Sequence, residues 1–195
     1  MATTPKAELP ELTFADAAAW ETWLAREHAR APGAWLRIAK RGAGATTVQY
    51  PEALEVALCY GWIDGVKRRI DDGWWVQKFT PRTARSIWSK VNRDKVQALI
   101  DSGRMRPAGL KEIERAKADG RWDAAYDSVS QATVPPELQA ALDANPAARK
   151  FFATLDSRNR YAILHRLQTA KKAETRTRRL EQFVQMLARG EKLHP

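Results

Sequence analysis

Apolar positions in AAAWETWLAREHAR recur at helical spacing, with Trp20, Trp23 and Leu24 close to one stripe, and predict a helix beginning near Asp16. Asp16 or Thr13 can cap it, and Pro32-Gly33 ends it. In AWLRIAK the period changes. Trp35, Arg37 and Ala39 alternate with Leu36, Ile38 and Lys40, the pattern of a short strand with a buried face. A loop containing Gly42 and Gly44 follows, then a short extended piece ending at Tyr50 and a helix with Pro51 in its first turn. From Trp62 the pattern is strand-like again; Asp71-Asp72-Gly73 reads as a hairpin turn before WWVQKF, and Pro81 closes the second strand. Next comes a helix from about Ser86 to Ser102, capped by Ser86 and stopped by Gly103. Another runs from Pro107 to Gly120.

Met1 to Glu11 reads as a flexible lead, and AYDSVSQATVPP, around Tyr126 to Pro136, as a linker or extended arm. Beyond it PELQAALDAN, PAARKFFATL, SRNRYAILHRLQTAKK and ETRTRRLEQFVQMLARG each carry a helical pattern. The expected fold class is α+β. An N-terminal domain with a small antiparallel sheet and helices, residues 12–125, precedes a C-terminal helical subdomain, residues 134–190.

Composition narrows the function classes. The 195 residues suffice for one large domain or two small ones, and the net charge of +10 biases the surface toward anions: an anionic small molecule, an acidic protein surface or nucleic acid. Cys59 is the only cysteine, which excludes an intrachain disulfide and a CxxC metal or redox site, and its apolar context suits an inert buried thiol. His28, His165 and His194 form no helical pair of ligands, so no metal site is expected. No P-loop, dinucleotide fingerprint or nucleophile elbow is present; neither a cofactor nor a catalytic residue is assigned. MATTPKAELPELTF has no apolar core of a secretory signal, and no apolar run approaches the ~20 residues of a membrane span, so a cytoplasmic protein without membrane insertion is expected.

Two basic clusters stand out. In the first, Trp62, Asp64, Arg82, Arg85, Ser86, Ser89 and Asn92 form a candidate ligand site. Asp64 on a strand beside Trp62 calls for a cation or several donors, which Arg82 or Arg85 can supply; the competing reading is a bulge or bend at Gly65 held by Asp64. Arginines before a helix starting at Ser86 oppose the helix dipole, a conflict that a bound anion removes. In the second cluster Lys171, Lys172, Arg176 and Arg179 are candidate nucleic-acid contacts, with a solvated basic face as the alternative. Lys67, Arg68 and Arg69, with Trp74 or Trp75 stacking on bases, would extend such a surface.

ALCYGWIDG, KFTPRTARSIWSKVN, SGRMRPAGL and AKKAETRTRRLE, in this order and spacing, resemble the YdeI/OmpD-associated (OmdA) family of bacteriocin-protection proteins from about Phe14 to Gly190. The positions that carry the resemblance are Gly61, Trp62, Asp64, Gly65, Thr80, Pro81, Arg82, Ser86, Trp88, Ser89, Asn92, Thr175, Arg176 and Arg179. The resemblance implies a role in protection against bacteriocins or envelope stress and brings no catalytic residue or cofactor. The leading expectation is a non-enzymatic binding protein. A nucleic-acid-binding protein and an enzyme using Asp64 as general base are the alternatives.

Overall fold

The computed structural model describes residues 8–195. Of the lead expected over Met1 to Glu11, residues 1–7 lie outside the described residues, and Glu11 pairs in a short strand instead. The elements run β1 (Glu11–Leu12), α1 (Ala17–Glu27), β2 (Ala34–Ala39), α2 (Tyr50–Cys59), β3 (Trp62–Arg69), β4 (Trp74–Pro81), α3 (Lys90–Asp101) and α4 (Pro107–Ala118). Four helices follow: α5 (Pro136–Asp143), α6 (Pro146–Thr154), α7 (Ser157–Gln168) and α8 (Ala173–Ala188). Two compact units result. The first comprises residues up to Ile87 with Asn92–Asp123, and the second Trp88–Val91 with Ala124–Pro195. The fold class is α+β.

The sheet order is β1-β2-β4-β3. It is mixed rather than antiparallel throughout, because β1 runs parallel to β2. The chain passes from β1 through helix α1 to β2, and a crossover of this kind brings a strand back parallel to the one it left. Asp16 caps α1 as expected, its carboxylate accepting from the Ala19 amide at 2.8 Å. Trp20 and Leu24 are the fully buried residues of that helix. The Trp20 indole donates to the Ala53 carbonyl at 3.1 Å, which ties α1 to α2 while its ring packs against Trp62 and Phe79 of the sheet.

Two glycines let α4 rest directly on the end of α2. Gly61 has φ +73°, and a Cβ there would lie 2.8 Å from the Ala108 carbonyl oxygen. At Gly109 a Cβ would lie 2.4 Å from the Cys59 carbonyl oxygen and 2.5 Å from Met105 Sδ. The motifs around CYGWIDG and RPAGL therefore encode one close approach. Cys59 beneath it is buried, and that burial pushes its thiol up to about 11, consistent with an inert core sulfur.

The hairpin turn forms where Asp71-Asp72-Gly73 predicts it, with the Asp71 carboxylate accepting from the Gly73 and Trp74 amides at 2.8 Å each. A bulge interrupts the pairing of β3 between Asp64 and Lys67. Its clamp is Gln77 rather than Asp64: the buried Gln77 amide donates to the Gly65 carbonyl at 2.8 Å and lies 3.4 Å from that of Val66. Gln77 follows Trp75 and precedes Phe79 on the same face of β4, and a polar residue in that apolar phase is the one sequence sign of its role.

In the second unit the core joins Leu138 and Leu142 of α5, Phe152 of α6, Ile163, Leu164 and Leu167 of α7, and Phe183 and Leu187 of α8. Asp156 caps α7 through the Asn159 amide at 2.7 Å. The Asn159 side chain, 1% exposed, holds the chain end in both directions: its oxygen accepts from the His194 amide at 2.8 Å and its nitrogen donates to the His194 carbonyl at 3.2 Å. Among the described residues no helix is long and apolar enough to cross a membrane.

Candidate functional site

The segment TPRTARSIWSKVN forms a braced loop before it forms a helix. Helix α3 begins at Lys90 rather than Ser86, so Ser86 is not its cap and Arg85, Ser89 and Asn92 do not share a helical stripe. The Ser86 hydroxyl instead accepts from the Thr83 amide at 2.9 Å, and the Ser86 amide returns to the Thr83 carbonyl at 3.0 Å. Serine caps turns and helices by the same chemistry, so the residue type alone does not say which amide it serves. Arg82 is 5% exposed and donates to the Ile87 carbonyl at 3.2 Å, while Arg121 donates to the Ser86 carbonyl at 2.7 Å. Arg85 is exposed in the turn. With no helix starting at Ser86, the conflict between arginines and a helix dipole does not arise there.

Ser89 and Asn92 are each 9% exposed. Ser89 forms a parallel bridge with Tyr126, flanked by backbone bonds from Tyr126 to Trp88 at 3.0 Å and from Lys90 to Tyr126 at 2.9 Å. Trp62, 1% exposed, packs edge-on against Trp20 and Trp23 and donates its indole N–H to the His28 carbonyl, so its ring belongs to the core. Asp64 is partly buried; its carboxylate accepts from the Tyr50 hydroxyl at 2.9 Å, and among the described residues no arginine is ion-paired with it. A neutral donor thus meets the need that the sequence assigns to Arg82 or Arg85.

Tyr50 leads to a basic site of the first unit. Its ring centroid lies 6.1 Å from that of Trp75. Trp75, with Lys40, Lys67, Arg68 and Arg69, lines an open cavity of about 390 Å³ that has no carboxylate in its wall. The register explains the assembly. Lys67 lies opposite Gln77, and Arg69 opposite Trp75, which in turn lies opposite Ile38. Opposed residues point to one side, so Lys67, Arg69 and Trp75 share the sheet face of the buried Ile38, at the end nearest the hairpin turn. Lys40 is steadied by the Asp71 carbonyl at 3.0 Å. Arg69 pairs with Asp72, but both side chains are largely exposed, and such a pair is weak enough for a ligand to replace. The bulge matters as well, because the extra residue it inserts returns Lys67 to the face that Asp64 occupies two register steps earlier. Charge-assisted donors around an indole suit an anion that carries a planar group. Lys40 and Tyr50 were not singled out by the sequence, because only the fold brings them to Trp75. Among the described residues no group of three His, Cys, Asp or Glu side chains is placed to hold a metal ion.

The second basic cluster divides. Lys171 and Lys172 are exposed at the start of α8. Arg176 donates to the Glu137 carboxylate at 2.7 Å and to the Leu167 carbonyl at 3.0 Å, and Arg179 donates to the Arg166 carbonyl at 2.6 Å. These arginines, three residues apart on α8, donate to carbonyls in the last turn of α7. The Glu137 carboxyl is held below its usual range by its own backbone N–H and by Arg176. Replacing Arg176 with methionine is expected to destabilise the second unit by about 1–2 kcal/mol in denaturant unfolding, the full strength of a charged hydrogen bond being reduced by partial exposure. An unchanged midpoint would show that Arg176 is not a brace.

A third cluster in the second unit is also internally matched. Asp127 receives Lys90 at 2.6 Å and Gln168 at 2.9 Å, and the lysine above all, then the glutamine, lowers its carboxyl below the usual range. His165 packs edge-on against Tyr126, and burial lowers its ring below the usual imidazole value.

Two family models match the chain. Residues 12–112 match the family described as a domain of unknown function, DUF8412. Residues 131–190 match the one described as Bacteriocin-protection, YdeI or OmpD-Associated, OmdA. No curated protein and no solved structure matches. The C-terminal helices are thus similar to the YdeI/OmpD-associated, bacteriocin-protection (OmdA) family over residues 131–190, and the chain belongs to the DUF8412 family through a match over just more than half its length.

Proposed function

We propose that the protein is a non-enzymatic, cytoplasmic binding protein acting in bacteriocin or envelope-stress protection, with domains at residues 12–125 and 134–190. Its first domain binds an anionic small molecule carrying a planar group. The observation that carries this reading is the cavity without a carboxylate in its wall that Lys40, Lys67 and Arg69 line together with Trp75. Cations gathered around a wall without carboxylates repel one another, only Arg69 being ion-paired among the described residues, with the exposed Asp72, and an anion relieves that repulsion while the indole offers a stacking face. The excess of 33 lysines and arginines over 23 acidic residues adds a long-range attraction for such ligands.

Calorimetry on the full chain with ATP and with inorganic pyrophosphate tests the reading. ATP is expected to bind more tightly than pyrophosphate, because only ATP offers a ring to Trp75. Lys67→Ala combined with Arg69→Ala is expected to weaken ATP by tenfold or more, as each charged hydrogen bond contributes about 1.5–3 kcal/mol. Arg85→Ala is expected to leave the affinity unchanged. Loss of binding in Arg85→Ala alone would move the site to the loop before α3, and no heat with either probe would remove the anion-binding role.

A further inference from the structure

The face of the first unit's sheet opposite α1 and α2 carries a second pattern of cations and indoles. On this face β2 presents Trp35 and Arg37, β4 presents Lys78, Val76 and Trp74, and β3 adds Arg68. Trp35 lies opposite Lys78, and Val76 lies between Arg37 and Arg68 in register. Val76 is buried at the centre, while the tryptophans, Arg37 and Lys78 are partly exposed and Arg68 is exposed.

The cations on this face meet rings rather than carboxylates. The Arg68 guanidinium lies 3.8 Å from the Trp35 ring centroid, the Arg37 guanidinium 4.6 Å from that of Trp74, and the Lys78 amine 6.0 Å from Trp35. Among the described residues none of the three is in an ion pair, and Arg37 Nε is enclosed without a hydrogen-bond partner. The nearest acidic position in register is Glu11, on the edge strand opposite Trp35. An open pocket of about 620 Å³ adjoins the Trp35 end, lined among others by Leu9, Pro32, Lys78 and Thr80. Glu8 in its wall disfavours a phosphate there and leaves the pocket better suited to a neutral ring.

We infer that this sheet face is a platform for single-stranded nucleic acid, with Trp35 and Trp74 stacking on bases and Arg37, Arg68 and Lys78 meeting the phosphates. Trp74 lies opposite Ala39, four residues along β2 from Trp35, so the two indoles are separated by about 13 Å along the strands. One mononucleotide covers one ring; covering both takes a chain, whose phosphates then pass the cations between them. A duplex keeps its base faces stacked within itself and cannot use the indoles, whereas every unpaired base offers a flat face. An acidic polypeptide would satisfy the cations but leave both rings without a matching partner.

The test measures anisotropy of a labelled oligothymidylate on the full chain over a salt series, beside a duplex and polyglutamate. Single-stranded binding is expected to weaken steeply with salt and to exceed duplex and polyglutamate binding. Trp35→Leu and Trp74→Leu, which keep apolar bulk without a stacking ring, are each expected to weaken it about 5- to 150-fold. Arg37→Gln with Lys78→Gln is expected to flatten the salt dependence with the melting curve unchanged, which keeps the test valid should either leucine variant misfold. Lys67→Ala with Arg69→Ala lies on the other face and is expected to change single-strand affinity less than the indole variants do, so the two sites fail separately. Absence of a complex at low salt, equal binding of duplex or polyglutamate, or full affinity in folded Trp35→Leu would each overturn the platform.

Discussion

Gly109→Ala is expected to destabilise the first unit by about 3 kcal/mol, although alanine is ordinarily the better helix residue by ~1 kcal/mol. The reversal of sign follows from what the new methyl would meet. Two of the three nearest atoms are the backbone carbonyl oxygens of Cys59 and Leu58, at 2.4 and 2.8 Å, and the third is Met105 Sδ at 2.5 Å. The methionine can turn aside, but the end of α2 cannot move without disturbing β3, which begins three residues after Cys59. Helix α4 must therefore lift, and Ile113 and Ala116, both buried in it, lose contacts with the core. Denaturant unfolding followed by tryptophan fluorescence measures the effect. A midpoint equal to or above that of the unaltered protein would mean that α4 does not rest on α2.

Asn159→Ala is expected to lower the stability of the second unit by about 2–3 kcal/mol, because it removes a buried amide whose partners stay in place. The His194 amide and carbonyl lose their bonds to the Asn159 side chain, and Asp156 loses the two contacts it receives from the Asn159 nitrogen. Asn159→Asp preserves the shape and the acceptor for the His194 amide. It also sets a second carboxylate against Asp156 and a carbonyl, so it is expected to be at least as damaging. Helical circular dichroism in denaturant gives the loss, and amide exchange at His194 reports the bond itself. Unchanged exchange at His194 in either variant would contradict the assignment.

Much of the fold is legible in the sequence where a local signal and the tertiary need coincide. Asp16 caps α1, the alternation in AWLRIAK becomes β2, Asp71 closes the hairpin, and Pro107, Pro136 and Pro146 each fall within the first turn of a helix. Trp62 is a core residue because its ring packs against the large rings of Trp20 and Trp23 on α1, as an apolar phase beside Gly61 suggests. The signals fail where one residue type serves two geometries. Ser86 closes a turn with Thr83 instead of capping α3, and two residues of β1 are too short to show any period.

The candidate site was less legible, because long-range pairing decides it. Asp64 is matched by Tyr50, fourteen residues before it, and Gln77 holds the bulge that directs Lys67 toward Trp75. Arginines 82, 176 and 179 look alike in a sequence whether they face a ligand or a carbonyl. The structure gives each of them a carbonyl of its own chain, in the loop before α3 or at the end of α7. The basic stretches of the chain thus include arginines that brace carbonyls of their own chain and cations gathered beside indoles, and the proposed binding sites are built from the second kind.

Indole N–H resonances followed by NMR during an ATP titration of the full chain test the central claim most directly. The Trp75 signal is expected to shift in proportion to occupancy, while those of the buried Trp20 and Trp62 stay in place, and Lys67→Ala with Arg69→Ala is expected to abolish the shift at the same ATP concentration. A perturbation centred on Trp88 and the amides from Arg82 to Asn92, with Trp75 unmoved, would contradict the assignment and return the anion to the loop before α3.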